Sequence, residues 1–198
     1  NTQYRSIIGS LLYLGITTRP DIVYAVCTLV RYVQCPKNVH MTAAKRIVKY
    51  VKGTREWGLF IRRRSYPCAS TDPPLMVKLD AYTDASFNDD PDTSRSTLAY
   101  VVRINENPIS WKSKLPSTVP QSAMESELIA LHTGVREITW CRYLLQEMLN
   151  LKLPATHVYC DNAPCIDLVT SAKATDRSKH IKPKFSLVRD LIKNKLRW

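Results

Sequence analysis

The spacing of apolar residues changes twice along this chain, and the change restricts the folds that it can adopt. Residues 3 to about 55 carry apolar side chains every three or four positions, which predicts short amphipathic helices. Residues 76–87 and 96–104 alternate instead, and "NPISWKSK" at 107–114 follows as a further short strand. Asn105 and Asn107 flank a tight connection between the last two strands, which predicts a hairpin. Helical spacing returns at 121–150, before a short strand that ends at Asp161 and two last helices. This order predicts an α+β or α/β fold, with helices packed on a mixed sheet.

The same pattern predicts the domain organisation. Residues 1–61 form a helical segment, and residues 76–198 form the sheet-containing domain. Between them, residues 62–75 read "RRRSYPCASTDPPL", with three arginines followed by three prolines, which is typical of a linker or exposed loop. A chain of 198 residues is long enough to bury at least one sizeable core.

The charge favours a polyanionic partner. The formal net charge is +12 and the pI is about 9.5, so nucleic acid is the first candidate and an anionic membrane surface the second. The sequence contains no run of about 18 apolar residues, so it predicts no transmembrane helix. The basic residues cluster at Lys45–Arg55, in the linker and in the last 26 residues. Ordinary solvated helix faces are the alternative explanation.

Asp84 is the first candidate functional residue. It lies inside the alternating run "VKLDAYTDASF", where a charge is costly unless something compensates it. Its side chain therefore faces either water or a metal ion.

Two further acidic residues occupy comparable places. Glu127 lies in the first turns of the long helix, and Asp161 ends the fourth strand. Ligand sites form at the carboxyl ends of strands in such sheets, so the three carboxylates can converge. Converged carboxylates repel one another and need cations, for which two Mg²⁺ or Mn²⁺ ions are the natural match. Each residue also has an ordinary interpretation: a solvent-facing strand residue, a solvated helix face shared with Glu125, and a cap for the next helix.

The six cysteines fit no zinc-binding spacing and no C-x-x-C pair. Buried free thiols in a reducing compartment are the prediction that follows.

Six ordered motifs resemble one family. They are "YRSIIGSLLYLGITTRPDIVYAV", "AAKRIVKYVKGTREWGL", "YTDASF…DTSRST", "ISWKSK", "ESELIAL" and "VYCDNAPCIDL…RSKHI". Together they resemble the C-terminal part of the Pol polyprotein of copia-type LTR retrotransposons, in the family's order and over nearly the whole chain.

The resemblance implies a function for each segment. Residues 1–61 look like the helical end of a reverse transcriptase, and the domain from 76 onward looks like its ribonuclease H domain. Such a domain cleaves the RNA strand of an RNA–DNA hybrid during reverse transcription, with carboxylate-bound Mg²⁺. By that resemblance Asp84, Glu127 and Asp161 are the metal-binding catalytic residues. The implied partners are the hybrid and the rest of the Pol polyprotein, without a membrane. The implied location is intracellular, in the cytoplasm within a virus-like particle or in the nucleus.

Basic and polar residues are candidates for contact with the hybrid. Such residues grip phosphates and position the duplex without reading its sequence. The candidates are Lys45, Arg46, Lys49, Lys52, Arg62, Arg63, Arg64, Arg95, Asn162 and Lys179. For Arg95, Asn162 and Lys179 a plain surface role stays equally open, and for His180 a structural role is preferred.

The sequence also departs from the family. The family's fourth carboxylate lies beyond a further strand, and the chain stops at Trp198. We therefore expect the fourth ligand, the fifth strand and the final helix to be missing. Lys182 also stands where the family usually has an aspartate. Two functions stay open: a ribonuclease, or a catalytically impaired nucleic-acid-binding remnant.

Overall fold

The computed structural model describes residues 2–62, 77–150, 152–171, 182–194 and 196–197. These residues divide into two compact units. The first takes the chain up to Phe60 together with Trp111–Lys114, and the second takes the remainder. Each unit is described by itself.

The first unit is helical, as its apolar spacing predicts. It contains α1 (Thr2–Thr17), a 3-10 turn (Pro20–Ile22), α2 (Val23–Val30) and α3 (Asn38–Gly53). Its buried side chains come from all three helices and the turn: Tyr4, Ile8, Leu11, Ile22, Val26, Leu29 and Ala44. The Tyr4 hydroxyl also donates a buried hydrogen bond of 2.8 Å to the Leu29 carbonyl. The apolar faces therefore meet in two small clusters, and the partly buried Ile7 and Ile47 pack against both.

Arg19 closes this unit at the end of α3. Its guanidinium donates to both carboxylate oxygens of Asp21, at 2.9 and 2.8 Å, and to the backbone and side-chain oxygens of Thr54. Tyr50 donates its hydroxyl to the same carboxylate at 3.0 Å. Arg19 is buried, so these bonds satisfy a charge that would otherwise be costly.

The second unit is built on a mixed sheet. Its elements are β1 (Leu79–Ser86), β2 (Thr97–Ile104), the first half of β3 (Asn107–Lys114), α4 (Ala123–Leu149), β4 (Thr156–Tyr159), α5 (Ala163–Thr170), α6 (Lys182–Asn194) and β5 (Leu196–Arg197). Among the described residues the strand order is β3-β2-β1-β4-β5. β1 pairs antiparallel with β2 and parallel with β4, and β5 is parallel to β4. The predicted fold class, a helical segment followed by a mixed sheet with flanking helices, is confirmed.

The expectation that the fifth strand is missing is wrong. Leu196 and Arg197 pair with Thr156 and His157 and so occupy the fifth position of the sheet. Leu196 is only 4% exposed and joins the core, which explains why so short a segment is held there. A two-residue strand is too short to show alternation, so the sequence pattern could not reveal it.

Helix α4 covers one face of the sheet. Its buried residues Leu128, Leu131, Val135 and Ile138 pack in one cluster with Leu79, Ala81, Tyr100 and Val102 of β1 and β2. Gly134 lies where the helix approaches most closely: a Cβ added there would stand 2.4 Å from Thr83 Cγ2. The glycine thus sets how near α4 can come to β1.

Polar and aromatic side chains occupy the alternate positions of β1. Asp80 is fully buried and pairs with Arg103, its register partner on β2, at 2.7 Å. The Arg103 guanidinium lies 4.6 Å from the centre of the Tyr82 ring. Tyr82 in turn stacks on Tyr159 of β4, with ring centroids 4.6 Å apart. These contacts tie three neighbouring strands together.

The connection between β2 and β3 is the predicted hairpin. Asn105 and Glu106 have φ values of 49° and 71°, the left-handed conformation that a two-residue hairpin turn requires at both positions. Asparagine tolerates this conformation better than most residues, which accounts for the first position.

Among the described residues, no helix combines the length and the apolar character needed to cross a membrane.

Candidate metal centre

Asp84 lies near the end of β1 and is exposed. Leu79, Ala81 and Thr83 of the same strand are buried, and Leu79 and Ala81 belong to the core cluster with α4, so Asp84 points to the other face. This orientation explains how a charged residue can lie within a strand of the sheet. The carboxylate is inside a strand, yet it faces away from the core.

Glu127 is held in place by the start of α4. The Ser122 side chain caps the helix by accepting from the Glu125 N–H at 3.1 Å, and Glu125 accepts from the Gln121 N–H at 2.8 Å. Two residues later, Glu127 is only 6% exposed. Its Oε1 accepts from the Ala85 N–H at 3.3 Å, whereas its Oε2 is buried without a hydrogen-bond partner. The solvated helix face that is the ordinary interpretation of these glutamates is therefore wrong.

Asp161 lies two residues beyond the end of β4 at Tyr159 and is exposed. The next residue, Asn162, caps α5 by accepting from the Cys165 N–H at 2.9 Å. The capping role that the sequence left open for Asp161 thus belongs to Asn162. Because β4 is parallel to β1, Asp84 and Asp161 come from the same edge of the sheet.

Glu127 feels the charge of both aspartates, although among the described residues only Asp161 has a carboxylate oxygen in the group of ligand atoms that lie within 4.8 Å of one another. The pKa of Glu127 is raised to about 7, first because the side chain is buried and then because Cys160, Asp84 and Asp161 place negative charge near it. The Ala85 N–H acts in the opposite direction by stabilising the carboxylate. Burial and crowding of like charge are the conditions under which a bound cation is favourable.

Cys160 is a member of the site that the sequence analysis missed. Among the described residues, Glu127, Cys160 and Asp161 each offer a ligand atom, and these atoms all lie within 4.8 Å of one another. The neighbouring Cys165 thiol lowers the pKa of Cys160. The sequence feature that could have indicated Cys160 is its position next to Asp161 in "YCDN". Neighbouring residues just beyond a strand can contribute to the same site.

The residues fit a divalent cation. Asp84 and Asp161 offer exposed carboxylates, and the orphaned Oε2 of Glu127 is a buried anionic atom that needs a partner. Hard divalent cations such as Mg²⁺ take carboxylate oxygens as ligands. Asp84 lies near enough for its negative charge to disfavour the ionised forms of Glu127 and Cys160.

The basic candidates fall into separate groups. Lys45, Arg46, Lys49 and Lys52 are exposed on α3 in the first unit. In the second unit, Arg62 is exposed and donates its backbone N–H to the Asn107 side chain, while Arg95 is partly buried. The predicted residues Arg63, Arg64 and Lys179 lie outside the described residues, as does His180.

Comparison with known proteins identifies relatives of the chain, although no family model matches it. It is 34% identical to the retrovirus-related Pol polyprotein from transposon RE2 of Arabidopsis thaliana, over 98% of this chain and 12% of the relative. It is also 34% identical to that from transposon TNT 1-94 of Nicotiana tabacum, over 96% of this chain and 13% of the relative. The chain thus spans about an eighth of these polyproteins.

A shorter relative is matched over most of its length. The secreted RxLR effector protein 161 of Plasmopara viticola is 35% identical, over 71% of this chain and 92% of that protein. Among solved structures, the chain is similar to LC11-RNase H1 in complex with an RNA/DNA hybrid, with 15% identity and a TM-score of 0.42. That match covers 60% of this chain and 79% of the other.

The Pol polyproteins of these two plant transposons align with 96–98% of the chain at 34% identity. The chain therefore belongs to the family of retrovirus-related Pol polyproteins of copia-type transposons.

Proposed function

We propose that the second unit is a ribonuclease H-type nuclease that cleaves the RNA strand of RNA–DNA hybrids during reverse transcription. The observation that carries the proposal is the buried, unpartnered Oε2 of Glu127 beside two exposed carboxylates at one edge of the sheet. A structural glutamate would have its oxygens satisfied within the protein. A carboxylate that lies near other negative charges and has an oxygen without a hydrogen-bond partner is suited to bind cations.

Asp84, Glu127 and Asp161 would hold the cations, with two Mg²⁺ or Mn²⁺ ions proposed. When bound, such ions activate a water and stabilise the leaving oxygen in phosphodiester cleavage. The protein's residues divide the remaining work. Glu127 is fixed by the N-terminus of α4 and by the Ala85 N–H, so it supplies a rigid ligand. Asp84 and Asp161 are exposed, so an incoming phosphodiester can reach them.

Binding of the hybrid is proposed for the basic residues. The exposed lysines and arginine of α3 and the exposed Arg62 present positive charge to solvent. Contacts of this kind neutralise phosphates and depend on salt rather than on base sequence. The enzyme would tell RNA from DNA through the 2′-hydroxyl.

Cleavage of a labelled RNA–DNA hybrid, with and without Mg²⁺, tests the proposal. We expect Mg²⁺-dependent cuts in the RNA strand that fall to background in Asp84→Asn. The matched control is Asp167→Asn, which removes an exposed carboxylate from α5 and should cut like the original chain.

Cuts that persist in Asp84→Asn would contradict the proposed role of Asp84 as a metal-binding catalytic residue. Hybrid binding that weakens with salt, without any cuts, would overturn the nuclease function and leave the alternative, a catalytically impaired binding remnant.

A further inference from the structure

Cys160 is a potential ligand that the proposed nuclease does not use. It lies between β4 and Asp161, is partly buried, and carries a free thiol. Mg²⁺ takes oxygen ligands and keeps much of its water, so a sulfur atom has no role in its coordination shell. The sulfur nevertheless lies within 4.8 Å of the ligand oxygens of both Glu127 and Asp161.

The donor set of one sulfur and two carboxylates suits a softer ion. Zn²⁺ is bound by cysteine sulfur at about 2.3 Å and by carboxylate oxygen at about 2.0–2.2 Å, usually in a tetrahedron. Bond lengths of this kind place a sulfur and an oxygen about 3.6 Å apart. Donors that already lie within 4.8 Å would therefore close around the ion with shifts of about 1 Å or less.

A buried oxygen without a hydrogen-bond partner indicates that the group can take a ligand. Glu127 is more than nine-tenths buried and its Oε2 has no hydrogen-bond partner, although one of its oxygens belongs to the group. Leaving such an atom unsatisfied is costly, and more so when it is charged.

We propose that Glu127, Cys160 and Asp161 form a site for a thiophilic divalent cation, with Zn²⁺ as the ion that fits best. The site shares two carboxylates with the proposed nuclease centre, so Zn²⁺ there excludes Mg²⁺ from Glu127 and Asp161. The competition rests on the proposed function, whereas the binding of Zn²⁺ does not.

The binding is tested with Co²⁺, a spectroscopic substitute for Zn²⁺, on the full chain. A thiolate ligand produces a sulfur-to-cobalt charge-transfer band in the near ultraviolet. We expect this band in the original chain and in Cys35→Ser, which removes an exposed thiol and serves as the matched control. We expect it to be absent in Cys160→Ser and to disappear when Zn²⁺ is added.

A second variant protects the test against misfolding. Asp161→Asn changes an exposed residue and keeps the sulfur, so the band should remain while Co²⁺ binds on the order of tenfold or more weakly. The absence of the band in the original chain, or its persistence in Cys160→Ser, would overturn the inference. An unchanged Co²⁺ affinity in Asp161→Asn would remove that residue from the site.

The Co²⁺ spectrum tests metal binding and the cleavage assay tests nuclease activity, so either result can be negative without the other. A band without RNA cleavage would support the Zn²⁺ site and count against the nuclease. Mg²⁺-dependent cleavage without a band would do the reverse. If both hold, Zn²⁺ should inhibit cleavage, and Cys160→Ser should need on the order of tenfold more Zn²⁺ for the same inhibition.

Discussion

Asp80 shows how strongly one buried charge depends on one partner. Its side chain is fully buried, and Arg103 donates to both of its carboxylate oxygens, at 2.7 and 3.2 Å. Removing one partner of a buried pair leaves the other charge uncompensated, which costs about 3–5 kcal/mol. We predict that Arg103→Met lowers the free energy of unfolding, measured by urea denaturation, by about 3 kcal/mol.

The double variant Asp80→Leu with Arg103→Met is the control for this prediction. Replacing both charges with apolar side chains is often close to neutral, so this variant should be more stable than Arg103→Met alone. If the double variant is the less stable of the two, the buried pair is not the cause of the loss.

Asp21 connects the stability of the first unit to pH. Its pKa is lowered, chiefly because Arg19 donates hydrogen bonds to its carboxylate. A carboxylate whose pKa is lowered by folding stabilises the fold above its ordinary pKa of about 3.9, and this contribution is lost as the pH falls through the folded-state pKa. We predict that Asp21→Asn lowers the thermal midpoint of the helical signal at pH 7, and that the difference shrinks as the pH falls below the ordinary pKa of the carboxyl.

Glu56→Gln provides the matched control for Asp21. Glu56 pairs with Arg55 at 3.0 Å, but both side chains are more than three-quarters exposed. Exposed pairs of this kind contribute about 0–1 kcal/mol, so this variant should have almost the same midpoint as the original chain. A gap for Asp21→Asn that is equally large in acid would contradict the assignment.

At the scale of elements, the approach of α4 to β1 depends on Gly134. A Cβ there would stand 2.4 Å from Thr83 Cγ2 and 3.4 Å from Tyr100 Cβ. Alanine favours a helix over glycine by about 1 kcal/mol, but overpacking costs about 1–3 kcal/mol and threonine is too stiff to move aside. We predict that Gly134→Ala is a net loss of stability in urea denaturation.

Thr83→Ser tests the cause of that loss. Serine keeps the hydroxyl that lies 3.4 Å from the Tyr159 carbonyl and lacks the methyl group that the new Cβ would meet. Gly134→Ala should therefore be tolerated better when combined with Thr83→Ser than alone. Equal costs in both backgrounds would mean that the methyl group is not the obstacle.

The elements were predictable from the sequence to the extent that their patterns are periodic. The helical and alternating segments appear where the apolar spacing places them, and the turn at Asn105 appears between β2 and β3. β5 was not predictable, because two residues carry no period. The pairing of Asp80 with Arg103 was not predictable either, because it depends on the register between two strands.

The candidate site was predictable in part, for a related reason. Alternation places Asp84 and Asp80 on one face of β1, but it does not say that one is exposed and the other buried. The burial of Glu127 and the position of Cys160 depend on tertiary packing between α4 and the end of β4. A spacing rule within one element contains no information about such contacts.

At the scale of the whole molecule, the charge of +12 predicts salt-sensitive binding of nucleic acid. We predict that replacing Lys45, Lys49 and Lys52 of α3 with glutamine weakens binding to an RNA–DNA hybrid. The plot of log affinity against log salt should become shallower, by about 0.9 for each phosphate contact that is lost. Fluorescence anisotropy at several salt concentrations measures both quantities.

A charge-matched variant separates position from net charge. Replacing the exposed Lys112, Lys114 and Lys152 with glutamine removes the same number of charges from other places. Its effect should be smaller than that of the α3 variant. Equal effects would show that net charge governs binding and that α3 has no special part in it.

The parallel pairing of β1 with β4 has a consequence for the thermodynamics of the chain. Asp84 and Asp161 are distant in sequence and become neighbours of Glu127 only when these strands pair, so the unfolded chain has no such site. A cation bound there is therefore linked to folding. Each tenfold rise of its free concentration above the dissociation constant adds about 1.4 kcal/mol to the stability of the sheet. If the proposed ions bind there, their supply would raise the stability of the fold as well as the occupancy of the site.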